Sequence, residues 1–204
     1  MSSLREAQKK LTRDVIVERA LELFTEKGYA ATTIDEIAAA AGTTRVTFYA
    51  YYPSRSDLMR DFMARVNAVL DRADGPESGS TASDLVDVVR AGELPGILAW
   101  LESRAALWPV FRPYLDVLDE AASVDREVRA MVEDWHEEVI SDLVRGMELA
   151  GRFPEETRHI RGTLAFTSLD YVATLWTRRQ FEPNREHALE ILADNWYHLL
   201  CDVG

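Results

Sequence analysis

The sequence predicts an all-α chain: an N-terminal three-helix head built around a helix-turn-helix, followed by a larger helical body. Three observations carry this. Residues 32–58, TTIDEIAAAAGTTRVTFYAYYPSRSDL, contain two short helical patterns joined at a glycine. No stretch of the 204 residues sustains the apolar-polar alternation of a half-buried strand. Apolar residues recur instead at three- and four-residue spacing to the end of the chain, bracketed by Gly, Pro and Asn.

The first helix is expected over about Thr12 to Lys27, with Ile16, Ala20, Leu23 and Phe24 on one face and Gly28 after its end. Ile34, Ile37, Ala38 and Ala41 then fall at i, i+3, i+4 and i+7, one face of a short helix. Gly42 follows, where a left-handed residue ends the helix at no steric cost. Thr43-Thr44 supplies a hydroxyl cap for a second short helix, Arg45 to Tyr51. Pro53 stops it, and Ser54 caps a longer helix running to about Ala73, with Leu58, Phe62, Val66, Val69 and Leu70 along it. Residues 75–83, GPESGSTAS, read as a loop by composition. Beyond it, helices are expected at about 84–91, 95–106, 107–122, 125–150, 155–180 and 185–202. The domain division this implies is residues 1–53 and 54–204.

Charge separates the two parts. The net charge is −12, yet residues 1–60 hold nine Lys/Arg against eight Asp/Glu, whereas residues 61–204 hold fourteen Arg, no Lys and twenty-seven acids. Local cations decide affinity for a polyanion, because screening over about 8 Å removes distant acids from the balance. An acidic chain with a near-neutral head therefore remains compatible with nucleic acid. The single cysteine, Cys201, excludes an intramolecular disulfide framework and reads best as a small apolar residue of the last helix. No apolar run approaches the ~20 residues needed to span a bilayer, and the first residues lack the apolar core of a signal peptide. These absences favour a cytoplasmic protein.

Enzymatic motifs are sparse. There is no glycine-rich phosphate loop, no nucleophile elbow and no Cys/His spacing suited to zinc. Two E-x-x-H motifs, Glu133 to His136 and Glu156 to His159, match the pattern that di-iron carboxylate bundles carry on two of their helices. That chemistry also needs two further inward glutamates, and Glu156 has an ordinary explanation in the first turn after Pro154. The di-iron enzyme is retained only as the alternative; no metal, cofactor or catalytic residue is expected.

The helix-turn-helix run resembles the N-terminal domain of TetR-family transcriptional regulators. Thr33, Ile37, Ala38, Ala41, Gly42, Thr44, Thr47, Phe48, Tyr49, Tyr52, Ser54, Arg55 and Leu58 carry the resemblance. Two positions depart from it: Thr43 stands where the family mostly has an aliphatic residue, and Arg55 where it mostly has Lys. The resemblance implies a homodimeric repressor that places its second short helix in the major groove of a palindromic operator, near the genes it controls. By this resemblance Thr33, Thr44, Tyr49 and Arg55 hold phosphates, Arg45, Val46 and Thr47 face bases, and Ala50 and Tyr51 flank them. Phe48 and Tyr52 pack inside the head, and a flexible basic N-terminal arm adds backbone or minor-groove contacts.

It also implies a body that binds an effector and pairs through the last two helices. Leu164, Leu169, Val172, Ala173 and Trp176 line one of these, and Leu189, Leu192, Trp196, Leu199 and Leu200 the other. In helix order and aromatic placement the body is similar to the aromatic-walled effector tunnel of a mycobacterial member of the family. The corresponding pocket candidates are Trp100, Arg104, Trp108, Phe111, Trp135, Phe166, Asp170 and Tyr171, with Arg112, Tyr114, His136 and Thr174 nearby. A mostly apolar small molecule is the expected occupant.

Overall fold

The computed structural model describes residues 2–71 and 82–201. Among these residues the secondary structure is helical throughout: α1 (Ser2–Lys27), α2 (Ile34–Ala40), α3 (Arg45–Tyr51), α4 (Arg55–Val69), α5 (Ser83–Ala91), α6 (Leu94–Ala105), α7 (Trp108–Val124), α8 (Arg126–Leu149), α9 (Glu155–Thr177) and α10 (Arg185–Leu200). The chain divides into two compact units. One comprises Met1–Val66 and Pro113–Val132; the other comprises Asn67–Arg112 and Glu133–Gly204.

In the first unit, Ile16, Val17, Ala20 and Phe24 of α1 are buried together with Ile37 and Ala38 of α2 and Phe48 of α3. Leu58, Met59, Phe62 and Val66 of α4 complete this core from the N-terminal side of the sequence. Leu115, Leu118, Ala121 and Val128, from the second segment of the unit, are buried as well. Phe62 sits at the centre, edge-on to Phe24 at 6.1 Å and to Tyr114 at 5.2 Å. The head is thus not formed by three N-terminal helices alone.

In the second unit, α10 packs on α9 and α6, and α5 packs on α6. Trp196 is fully buried, stacked on Trp100 with centroids 5.5 Å apart, and its indole N–H donates to the Ala165 carbonyl at 2.9 Å. Glycine permits two of the helix approaches. A Cβ on Gly146 of α8 would lie 2.6 Å from the Cβ of Val89 on α5, and one on Gly162 of α9 would lie 3.3 Å from the Ile140 carbonyl oxygen. Cys201, expected in the last helix, follows its end as the C-cap of α10 and is buried as a free thiol.

The helix ends differ from expectation at a few points. The segment read as a flexible arm is helical, since α1 begins at Ser2. Residues 2–11 contain Leu, Arg, Glu, Ala, Gln and Lys, all good helix formers, with no Gly or Pro to interrupt them. At the other end of the head α4 stops at Val69, before Ala73, and Asp71 takes a left-handed φ of 53°. Likewise α9 stops at Thr177, with Arg179 at φ 57°. Most of the expected 75–83 loop lies outside the described residues; its last residue, Ser83, opens α5.

Candidate nucleic-acid interface

Local capping sets up the helix-turn-helix. Thr33 accepts from the Glu36 amide while the Glu36 carboxylate reaches back to the Thr33 amide, a reciprocal capping box that starts α2. Lys27 adds an ion pair to Glu36 at 2.8 Å. Hydrogen bonds from Lys27 and then from Thr33 hold the Glu36 carboxyl down at about 2. Gly42 takes φ 65°, and the Thr43 amide donates to the Ala38 carbonyl, closing the α2 end. Thr44 caps α3 by accepting from the Thr47 amide at 3.1 Å, and its hydroxyl lies 3.0 Å from that of Thr47. Ser54 and Asp57 repeat the reciprocal arrangement at the start of α4.

Burial then separates the two faces of α3. Phe48 and the following Tyr52 point into the head, as expected, and Phe48 is the buried residue of this seven-residue helix. The Tyr52 hydroxyl donates to Asp61, which also receives the Arg13 guanidinium at 2.8 Å. Burial, then the bond to Asp61, pushes the Tyr52 phenol well above its ordinary pKa. On the opposite face Val46 is 81% exposed, Arg45, Tyr49 and Ala50 are exposed, and Thr47 and Tyr51 are half-exposed. Thr33 and Thr44 are also exposed, although both hydroxyls are engaged in capping. The Arg45 guanidinium pairs with Asp35 at 3.0 Å and lies 5.6 Å from the Tyr49 ring centroid.

Arg55, expected by resemblance at a phosphate, is half-buried. Its guanidinium is 3.6 Å from the Tyr29 ring centroid and 5.1 Å from that of Phe24, and it donates to the Tyr29 carbonyl. Its Nε is buried without a hydrogen-bond partner, and burial lowers its pKa. An aromatic face and a backbone acceptor together draw the planar cation inward. Tyr29 itself is gripped from the second segment of the unit. Its amide donates to Glu120 at 2.8 Å, and its hydroxyl to Asp125 at 3.3 Å. Burial raises the Tyr29 phenol to about 12.

The pocket candidates of the body are all placed, but they fall into several groups. Trp100 stacks on Trp196 and donates to Asp84 at 2.9 Å; Arg104 also pairs with Asp84. Trp108 is buried edge-on against Trp176 at 5.2 Å, and Phe111 is buried. Trp135 donates to Asn67 at 2.8 Å, while Phe166 contacts both Trp135 and His136. Asp170 pairs with Arg112, which is only 4% exposed. Tyr171 is 63% exposed on α9 and does not join the buried aromatics. In the heptad-like spacing of α9, residue 171 falls on the outer face with Ile160 and Leu164.

The two E-x-x-H motifs do not assemble a metal centre. His159 pairs with Glu137 at 3.1 Å on the surface, and His136 packs against Trp135 and Phe166. Among the described residues no group of three or more His, Cys, Asp and Glu comes together as a ligand set. Burial lowers the His136 pKa below 6.5, opposed by Asp170 and reinforced by Arg112. The folded state therefore binds fewer protons than the unfolded chain below that value. Its stability is complete above 6.5 and declines as pH falls toward the lowered folded pKa. His136→Gln is expected to flatten this part of the thermal-unfolding pH profile; an unchanged slope would assign the acid sensitivity elsewhere.

Known proteins bear on this geometry. Residues 16–62 match the sequence pattern of bacterial regulatory proteins of the tetR family. The chain is similar to the transcriptional repressor LfrR of Mycolicibacterium smegmatis, at 33% identity over 126 residues, covering 58% of this chain and 65% of that protein. It is similar to the transcriptional regulator AcrR of Shigella flexneri at 42% identity over 57 residues, 28% of this chain and 26% of the relative. The alignments thus span less than two thirds of these relatives. In fold, the crystal structure of NalD, a repressor of the MexAB-OprM multidrug efflux pump in Pseudomonas aeruginosa, superposes with a TM-score of 0.70. That match covers 95% of this chain and 98% of NalD at 22% identity. No described helix is long and apolar enough to cross a membrane. Matched head and shared fold agree with the capped helix-turn-helix: residues 16–62 form a domain of the kind that bacterial regulatory proteins of the tetR family carry.

Proposed function

We propose that the protein is a ligand-responsive repressor, acting in the cytoplasm as a homodimer on a palindromic DNA operator near its own gene. The observation that carries this reading is the outer face of α3, where Arg45, Val46, Tyr49 and Ala50 are exposed around one buried anchor, Phe48. In this reading Arg45, Val46 and Thr47 meet base edges, with Val46 offering an apolar contact to a thymine methyl. Thr33, Thr44 and Tyr49 meet phosphates, and Ala50 and Tyr51 flank the reading face. Arg55 supports them through the Tyr29 turn. Residues 1–53 serve DNA binding, and residues 54–204 the effector and the second copy.

Support for the dimer comes from an apolar stripe. Ile160, Leu164 and Tyr171 of α9 and Ile191 of α10 are each at least half exposed. Support for a mostly apolar effector comes from the aromatic content of the body around Trp108, Trp135, Phe166 and Trp176. Induction is then a population shift: an effector favouring a body conformation that spaces the heads wrongly for DNA weakens operator binding by linkage. Helix α4 is the lever, because Arg55–Val66 belong to one unit and the residues from Asn67 to the other.

Binding of the purified protein to DNA from upstream of its own gene tests the reading. A specific complex of two chains per site is expected, with Leu164→Glu giving a monomer and at least a hundredfold weaker operator binding. A monomeric wild type, or equal affinity for upstream and random DNA, would overturn it. A small molecule that binds tightly without changing operator affinity would overturn the inducible part alone.

A further inference from the structure

We propose that Asp35, an acid on the DNA-facing surface, is a specificity-determining residue that aims the Arg45 guanidinium at a guanine. The inference rests on the operator-binding reading and deepens it.

An aspartate beside the recognition helix faces phosphates of the same sign, so its presence needs a reason. The helix dipole supplies a partial one, since Asp35 lies in the first turn of α2. That turn already has Glu36, whose carboxylate completes the capping box and pairs with Lys27. Asp35 instead reaches across the turn to α3. Its Oδ2 accepts from Arg45 Nη1 at 3.0 Å, linking the second residue of α2 to the first of α3. Tyr49, one helical turn beyond Arg45, lies against the guanidinium at 5.6 Å from carbon to ring centroid.

These two contacts restrict a long side chain that would otherwise sample many rotamers. A guanidinium offers five N–H donors in a rigid plane. With Nη1 held by Asp35, the donors not engaged there remain for an acceptor pair, and the O6 and N7 of guanine are the pair that matches an arginine fork in the major groove. Both partners are largely exposed, so the pair contributes little to folding. Its effect is on which base Arg45 accepts. Asp35 also repels phosphate, which weakens binding to every duplex and leaves the guanine contact a larger share of what remains.

The experiment is selection of binding sites from a random-sequence duplex library with wild type, Arg45→Ala, Asp35→Asn and Asp35→Glu. Anisotropy titrations follow on the enriched duplex, on single-base changes and on random duplex. Wild type is expected to enrich one guanine per half-site, and Arg45→Ala to lose that preference. Asp35→Asn is expected to bind random duplex several-fold more tightly while preference for the guanine falls about tenfold. Asp35→Glu, which restores the anion, is expected to recover most of the preference. If Asp35→Asn shifts every duplex by the same factor, the residue is only a background charge and the inference is overturned. Failure of wild type to enrich any sequence overturns the operator reading and this inference together. An enriched site that Asp35→Asn reads as wild type does overturns this inference alone. Matching thermal unfolding of the variants and wild type is expected, because both positions are exposed.

Discussion

Trp196→Ala is expected to lower the stability of the second unit by about 3–5 kcal/mol, the usual range for deleting a fully buried large aromatic. Trp196 is completely buried in α10, which packs on both α9 and α6. Its ring stacks on Trp100, and its N–H is the partner of the Ala165 carbonyl at 2.9 Å. Removal leaves a cavity and an unpaired acceptor at once. Against a typical total of about 5–15 kcal/mol, such a loss leaves the unit marginal. Differential scanning calorimetry would check it. Trp196→Phe, which fills most of the space but cannot donate, should recover the greater part of the lost midpoint. If alanine and phenylalanine behaved alike, the hydrogen bond rather than the packing would dominate.

Phe48→Ala is expected to detach α3 from the head and abolish DNA binding. Seven residues cannot sustain an isolated helix in water. Phe48 is its buried residue, with Tyr49 edge-on at 5.7 Å and Tyr52 at 5.6 Å. Truncation should remove about 3–5 kcal/mol from the first unit. The local effect is larger than the global one, because α3 has little else to hold it. Hydrogen exchange read residue by residue would show α3 amides losing protection while the long helices of the second unit keep theirs. Uniform loss of protection through both units would mean that α3 is not an independently opening element. Phe48→Leu, apolar and smaller, should retain measurable DNA binding.

Much of this architecture was legible because short-range chemistry dictates it. Thr33, Thr44 and Ser54 are hydroxyls placed before apolar helical spacing, and Gly42 stands where a left-handed residue is needed, so the helix-turn-helix could be bounded to within a residue. Phe48 and Tyr52 were placed inside the head by the resemblance to TetR-family domains, not by periodicity. Contacts that depend on tertiary closure were not legible. Asp35 and Arg45 are ten residues apart and meet only once the turn at Gly42 has been folded. The inward turn of Arg55 requires knowing where the Tyr29 ring lies, and an arginine in a sequence carries no sign of whether it will meet a phosphate or an aromatic face. Aromatic count drew Tyr171 into the expected pocket, yet only three-dimensional packing decides which side of α9 is outside. Arg112 was noted near the aromatics; its depth of burial and its pairing with Asp170 were not predictable from spacing.

The grip on Tyr29 has a consequence for the order of events on the ribosome. The turn between α1 and α2 is secured by Glu120 and Asp125, 91 and 96 residues further along the chain. The first unit also takes in Pro113–Val132. A nascent chain that has produced the whole helix-turn-helix run to Leu58 therefore still lacks about sixty residues' worth of synthesis before those carboxylates exist. At roughly 5–20 residues per second that is a wait of several seconds with Phe62 short of its Tyr114 neighbour and Tyr29 short of its partners. Closure of the first unit is thereby deferred until Pro113–Val132 has been synthesised. A chain terminated before Glu120 would contain all of α3 but lack the carboxylates that secure the turn between α1 and α2.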